Sequence, residues 1–216
     1  MQVIEKFVSI NGEGLKQGEL ALFIRFMGCN LRCSYCDTTY SFINPVYKEE
    51  SIDEIFEYVK KQNVKNITLT GGEPLIQKDI NELIKLLIDN NYHVEIETNG
   101  SININDFFND NNISYTLDYK LPTSLMEKKM NLSNYDYINK KDSVKFVCGN
   151  IDDLLKMKEI INRYDLIGKT NCIVSPVFNQ IKLEDIVNFL IDNNLNGVKM
   201  QLQIHKIIWD PNKRGV

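Results

Sequence analysis

Three thiols in the run Gly28-Cys29-Asn30-Leu31-Arg32-Cys33-Ser34-Tyr35-Cys36 carry the strongest chemical signal in this chain. Their C-x3-C-x2-C spacing places three soft ligands on one short loop, near enough to converge on one metal centre. Four thiolates would complete a metal's shell. Three leave a position open, and an open position is where a substrate or cofactor binds. Disulfide pairing does not fit, because an odd thiol would remain and the gaps are too short for two bridges. The remaining cysteines, Cys148 and Cys172, lie in the apolar runs VKFVCG and NCIVSP, where a free thiol behaves as a small buried hydrophobe. Spacing alone leaves two readings open: a structural zinc site that recruits one of those two, and an iron–sulfur cluster with one free corner.

A second motif, Thr70-Gly71-Gly72-Glu73-Pro74, closes a short apolar run. Glycine and proline punctuate turns anyway, so a plain strand-to-helix turn would explain it. Read chemically, two glycines bare the backbone beside one fixed carboxylate, and together they can hold an ammonium group next to a metal. Polar groups follow other apolar runs in the same way: Glu97-Thr98-Asn99-Gly100, Asp118 to Lys120, and Ser175-Pro176.

These motifs need a frame that brings them together. Leu20 to Met27 reads as a strand leading directly into the cysteine loop, and Asn66 to Thr70 as a short buried strand. HVEIETNG, SYTLDYK, SVKFVCG, NCIVSPV and GVKMQLQIH read as further strands. Ser51-x-x-Glu54 opens SIDEIFEYVKKQ as a capping box followed by helical periodicity. Asp79 to Asp89, IDDLLKMKEIINRY and KLEDIVNFLID repeat apolar residues at helical spacing, whereas Ile102 to Asn112 is expected to fall short of a full helix. Strands alternating with helices predict a parallel α/β sheet or barrel, with sites gathered at the C-terminal ends of the strands.

The chain has 216 residues, which predicts one domain with a full core. It is 43 % hydrophobic and 25 % charged, an ordinary balance for a soluble globular protein. No apolar run approaches a membrane span, and MQVIEKFVSI lacks a basic-then-apolar leader. A reducing cytoplasm is therefore expected, where thiolates stay available as ligands. The net charge of −4, with lysines scattered, argues against a large nucleic-acid partner.

The pairing of the cysteine loop with Gly71-Gly72-Glu73-Pro74 resembles the radical S-adenosylmethionine superfamily. That resemblance implies a partial (β/α) barrel with reduced helices, an N-terminal extension and a C-terminal tail closing the site. It implies a four-iron–four-sulfur cluster on Cys29, Cys33 and Cys36, with the fourth iron chelating S-adenosylmethionine, whose reductive cleavage yields a 5′-deoxyadenosyl radical. Tyr35 matches the aromatic residue before the last cysteine. Thr70, Gly71, Gly72, Glu73, Lys120 and Ser175 match positions that contact S-adenosylmethionine.

A narrower match is carried by Asn11-Gly12-Glu13-Gly14, by Ala21 to Leu31, by Cys36-Asp37-Thr38, by Ile96 to Gly100 and by Gln203-Ile204-His205-Lys206. These segments are similar to the 7-carboxy-7-deazaguanine synthase family, lyases that convert 6-carboxy-5,6,7,8-tetrahydropterin to 7-carboxy-7-deazaguanine with loss of ammonia, a step of queuosine and purine-type biosynthesis. The match implies Thr38 as a Mg2+ ligand and Arg25 as a fork for the substrate carboxylate. Glu13 and Glu97 would accept hydrogen bonds from the pterin's N–H groups. Asn11, Gly14, Asn99, His205 and the carboxylate of Val216 are expected at the substrate, with Asn11 standing where many members carry the longer glutamine. Arg25, Glu97 and His205 are the expected catalytic set. The resemblance also suggests a homodimer and an electron donor such as flavodoxin or ferredoxin. A rival reading is an activase that takes hydrogen from a partner enzyme's glycine; it shares the cluster loop but needs a protein-docking face rather than a polar pocket.

Overall fold

Alternation along the strands sets two faces of unlike chemistry. On β2 (Leu20–Phe26), Leu22, Ile24 and Phe26 are wholly buried and point one way, while Phe23 and Arg25 point the other. On β4 (Asn66–Gly71), Ile67 and Leu69 take the first face and Thr68 and Thr70 the second. The pattern continues along β5 (His93–Thr98), where Val94 and Ile96 oppose Glu95 and Glu97, and along β7 (Ser143–Cys148), where Val144 and Phe146 oppose Ser143 and Lys145. The first face is apolar and packs on helices. The second is polar, which a packed core would not tolerate, and it lines a lumen.

The computed structural model describes residues 1–216. With β1 (Gln2–Ile10), β3 (Lys48–Glu49), β6 (Ile113–Tyr119), β8 (Asn171–Pro176) and β9 (Val198–Met200), the strands form one sheet in the order β3-β1-β2-β4-β5-β6-β7-β8-β9. From β2 to β9 every neighbour is parallel, and β1 adds antiparallel to β2 and to β3. The seven parallel strands make the expected partial barrel, open between β3 and β9.

Four helices cover the outer face. α1 (Ile52–Gln62) starts with the expected capping box: Glu54 N–H donates to Ser51 Oγ at 3.2 Å, and Ser51 N–H donates to Glu54 Oε2 at 2.7 Å. It stops at Asn63, which takes the left-handed conformation at φ 54°. α2 (Ile80–Asp89), α3 (Ile151–Arg163) and α4 (Leu183–Asp192) follow β4, β7 and β8. Leu83, Ile84 and Leu87 of α2 and Leu154, Met157 and Ile160 of α3 join the strands' apolar face in one continuous core. Each such buried Leu or Ile contributes about 1.5–3 kcal/mol relative to exposure. Between β5 and β6, and between β6 and β7, only short 3-10 turns occur, so the helices are reduced as expected.

Two elements differ from the sequence reading. The N-terminal segment is a nine-residue strand; a bulge between Val3 and Glu5 and a half-exposed face break the alternation that would have marked it. The last strand ends at Met200 rather than running on to His205. From Gln201 the chain leaves the sheet because its polar groups pair elsewhere. Gln201 exchanges two hydrogen bonds of 2.9 Å with the backbone of Gly14, and Gln17 Nε2 donates to Leu202 O at 2.8 Å. His205–Ile208 then forms a single helical turn, α5.

Candidate active site

The C-terminal ends of the parallel strands and the tail enclose one cavity of about 800 Å³, within the range of small-molecule sites. The loop after β2 brings all three cysteines to its wall as free, half-buried thiols. Gly28 N–H donates to Ser41 O at 2.8 Å and Glu73 N–H to Gly28 O at 2.9 Å, which pins the start of this loop. Leu31 N–H lies 3.4 Å and Asn99 Nδ2 3.8 Å from Cys29 Sγ, so the sulfur already faces N–H donors. Burial pushes the Cys33 thiol up to about 11, and burial also raises Cys36. Deprotonation of these thiols is thereby coupled to metal binding.

No three His, Cys, Asp or Glu side chains converge closely enough to hold a single ion. Cys148 and Cys172 are fully buried on β7 and β8, away from the cavity lining, so they do not complete a zinc site with the loop. Three free thiols spread along one wall, with sulfur-directed N–H groups, fit a cluster whose irons each take one thiolate.

Gly71 and Gly72 lie directly behind the cysteine loop. A Cβ on Gly72 would sit 2.0 Å from Gly28 O and 2.7 Å from Cys29 Cβ, so no other residue allows this approach. Glu73 is wholly buried and accepts from Leu75 N–H at 3.1 Å, Thr98 Oγ1 at 2.9 Å and Asn99 N–H at 2.7 Å. Burial pushes its carboxyl up to about 7, although those hydrogen bonds oppose the rise. The carboxylate ties the glycine turn to the end of β5.

A set of charges shares the cavity with the cysteines. Arg25 Nε donates to Glu5 Oε1 at 2.7 Å, and Tyr40 OH donates to the same oxygen at 3.0 Å. The terminal guanidinium nitrogens of Arg25 make no hydrogen bond, and the residue lines the cavity. Thr70 Oγ1 donates to Glu97 Oε2 at 2.8 Å, leaving the other oxygen free. Glu13 Oε2 accepts from Lys145 Nζ at 3.1 Å and Gln203 Nε2 at 3.3 Å. Lys120 Nζ donates to Asp118 Oδ2 at 2.6 Å; burial would lower the ammonium's pKa, but Asp118 holds it above its usual value.

The tail closes the mouth. Ile204 N–H donates to Gly12 O at 3.2 Å, and Lys206 Nζ pairs with Asp37 Oδ2 at 2.8 Å. Arg214 stacks 3.7 Å over the Tyr40 ring, and Val216 lines the cavity. Burial holds the His205 imidazole below its usual range. Thr38 Oγ1 donates to Asp37 Oδ1 at 2.9 Å beside the last cysteine.

The structure therefore brings Glu13, Arg25, Cys29, Cys33, Tyr35, Cys36, Thr38, Thr70, Gly71, Gly72, Glu97, Asn99, Lys120, His205 and Val216 to one cavity. Asn11, Gly14, Glu73 and Ser175 stand behind its lining. Asn11 Oδ1 accepts from Thr68 Oγ1 at 3.0 Å, and Ser175 is fully buried with an unpaired hydroxyl. Sequence reasoning missed Glu5, Tyr40, Lys145 and Gln203, all in the lining. A charge on an otherwise apolar stretch was a signal available for Glu5 and for Lys145, and Gln203 lies in a segment that carries the family match; nothing local marks Tyr40.

An open sheet of parallel strands whose loops carry three thiols and a double glycine defines a radical S-adenosylmethionine enzyme, and the family model for the radical SAM superfamily matches residues 23–190. Membership implies the four-iron–four-sulfur cluster and S-adenosylmethionine that the thiols and glycine turn fit. Within that superfamily the chain belongs to the 7-carboxy-7-deazaguanine synthase family. It is 55 % identical to 7-carboxy-7-deazaguanine synthase of Clostridium acetobutylicum, over 100 % of this chain and 99 % of that one. It is 37 % identical to the enzyme of the same name from Methanospirillum hungatei, over 98 % and 86 %. In fold it is similar to QueE from Escherichia coli, with TM-score 0.70, 20 % identity and coverage of 93 % and 92 %. The fold is also similar to Streptococcus suis SuiB, solved bound to S-adenosylmethionine, with TM-score 0.59, 15 % identity and coverage of 82 % and 48 %.

Proposed function

We propose that this protein is a lyase that contracts the ring of 6-carboxy-5,6,7,8-tetrahydropterin to give 7-carboxy-7-deazaguanine and ammonia, in 7-deazapurine and queuosine biosynthesis. The observation that carries the reading is the joining, in one cavity of about 800 Å³, of the three thiols and the glycine turn with Glu13, Arg25, Glu97 and His205. When bound, the cluster and S-adenosylmethionine supply the radical that takes a hydrogen atom from the substrate.

The chain's own residues hold the substrate against that chemistry and exclude water. Arg25, braced through Nε by Glu5, offers its free guanidinium edge to the substrate carboxylate as a planar two-donor fork. The free oxygens of Glu13 and Glu97 accept from the pterin's amino and ring N–H groups. His205, kept neutral by its burial, accepts or returns a proton at the substrate's edge, and Asn99 and Val216 complete the rim. The backbone of Thr70 to Gly72, with Lys120 and Tyr35, flanks the S-adenosylmethionine side of the cavity, while Glu73, Ser175, Asn11 and Gly14 support these walls from behind. The Thr38 hydroxyl would supply one ligand to Mg2+, with substrate oxygens and waters filling the rest of a shell that suits this hard ion.

The polar lining supports a small molecule over the protein glycine that an activase would have to admit. No helix is long and apolar enough to cross a membrane. One domain spanning 1–216, a homodimer, a cytoplasmic location, no nucleic-acid partner, and flavodoxin or ferredoxin as the electron source complete the proposal. Anaerobic incubation of the iron–sulfur-loaded enzyme with the carboxylated pterin, S-adenosylmethionine and a reductant tests it. Product and ammonia should form in equal amounts, faster with Mg2+. Recovery of the pterin unchanged would end the reading.

A further inference from the structure

Lys145 lies in the middle of the apolar run of β7, yet its side chain faces the lumen, 11 % exposed, and lines the cavity. A buried ammonium without partners is costly. Here Nζ lies 3.1 Å from Glu13 Oε2, a residue 132 positions away in sequence. Asp118 stands opposite it in register on β6, and Glu97 acts on it from β5. Burial would pull the ammonium's pKa down, but these carboxylates, Glu13 foremost, hold it far above its usual value. Lys145 is a fixed positive charge.

Glu13 is its counterpart, 9 % exposed. Oε2 is taken by Lys145 and by Gln203 from the tail. Oε1 is buried and has no partner. Burial, the largest single effect, would push this carboxyl up; the charge of Lys145, together with the hydrogen bonds that Lys145 and Gln203 donate, outweighs that and keeps it below the usual carboxylate range. The Ser175 hydroxyl of β8 faces the same carboxylate and adds to the lowering. The other titratable groups facing this pair are His205 from the tail, Glu97 from β5, Asp118 from β6 and Lys120 just after β6. Glu95 of β5 lies behind Gly14, the residue next to Glu13.

We propose that Lys145 is a positioning residue for substrate binding: it holds Glu13 ionised, with Oε2 committed and Oε1 free to accept from the N–H edge of a nitrogen heterocycle. This rests on the reading above, in which Glu13 meets the substrate's amino and ring N–H groups. A merely structural ion pair would affect stability alone. A positioning role makes substrate affinity depend on the charge of Glu13. Without Lys145, burial returns the Glu13 carboxyl to a higher pKa, so it becomes an acceptor only as the pH rises.

Steady-state kinetics of the cluster-loaded enzyme with the carboxylated pterin, from about pH 6 to about pH 9, test this. Lys145→Met should raise KM about 10–100-fold near neutrality, the usual consequence of losing a hydrogen bond to a charged group, with the loss falling on KM more than on kcat. That KM should fall again as pH rises. Lys145→Arg, which keeps the charge, should show no such pH dependence. Glu13→Gln should raise KM at all pH values, and adding Lys145→Met to it should cost little more. The double variant leaves no uncompensated buried charge, so this comparison stands even if Lys145→Met alone does not fold. Wild-type KM for Lys145→Met at every pH would overturn the inference. So would a further tenfold loss in the double variant beyond Glu13→Gln. Failure of the wider reading is distinguishable, because the wild-type enzyme itself would then not consume the pterin.

Discussion

Gly12 and His205 interlock: a Cβ on Gly12 would lie 2.1 Å from His205 Nδ1. The imidazole rests directly on the backbone of the N-terminal loop, and Ile204 N–H donates to Gly12 O at 3.2 Å. The loop before β2 and the tail after β9 thus meet at one residue that has no side chain. Gly12→Ala should turn the imidazole out of the cavity. The expected result is a loss in kcat/KM of about tenfold or more, with cluster content unchanged. Combining Gly12→Ala with His205→Ala should cost little beyond His205→Ala alone, a non-additivity that steady-state kinetics of the three variants reads directly.

Gly72 is the second position where a single methyl decides the outcome. Its Cβ would overlap the carbonyl of Gly28, which is backbone and cannot swing aside. Gly72→Ala should push the cysteine loop outward and destabilise the apo-protein by roughly 1–3 kcal/mol. Iron and sulfide bound per chain after anaerobic reconstitution should fall with it.

Arg25 carries both an internal brace and a free edge. Arg25→Ala should weaken transition-state binding by about 2–5 kcal/mol, the range for losing one partner of a buried charged contact. Arg25→Lys should not restore activity, because a point charge cannot hold Glu5 and a planar carboxylate together. Turnover of either variant at the wild-type rate would exclude the assigned role.

Much of this frame is legible in the sequence. The strand–helix alternation, the capping box at Ser51, the missing helix between β5 and β6, and the cysteine loop all announce themselves within about a dozen residues. What stays hidden depends on partners far along the chain. Lys145 looks like an interruption in VKFVC until Glu13 arrives from the N-terminal loop. The tail reads as a strand through His205 because its composition is strand-like, but after the N–H of Gln201, which still donates to Val174 O of β8, the pairing stops, and the Gln201 side chain bonds to Gly14. Glu73 carries a family motif, yet its side chain turns back to Leu75, Thr98 and Asn99 instead of lining the cavity, a matter of local backbone path that spacing does not record.

Glu95 gives the fold a pH signature separate from the chemistry. Burial, with Glu97 nearby, pushes its carboxyl up to about 7, and only Thr116 Oγ1 donates to it, at 2.8 Å. Because the folded pKa is raised, the native state holds a proton that the unfolded chain has released. Stability from this group is therefore lost as the pH rises from the ordinary carboxylate range through about 7. Glu95→Gln should flatten that decline, by about 1–3 kcal/mol at alkaline pH, and leave stability at acid pH nearly unchanged. Denaturant midpoints of both proteins across that range provide the check. A wild-type curve that rises with pH there, and is unaltered in Glu95→Gln, would contradict the assignment.

The most direct measurement follows one hydrogen atom. Cluster-loaded enzyme, S-adenosylmethionine, a reductant and pterin deuterated at C6 are combined without oxygen, and the 5′-deoxyadenosine is analysed by mass. Pterin has the composition of product plus ammonia, so the hydrogen removed is balanced by one returned: one deuterium from C6 should appear at the 5′ carbon, in the 5′-deoxyadenosine and in the S-adenosylmethionine recovered after turnover, and Cys33→Ala should form no product. Unlabelled 5′-deoxyadenosine beside unchanged pterin would contradict it.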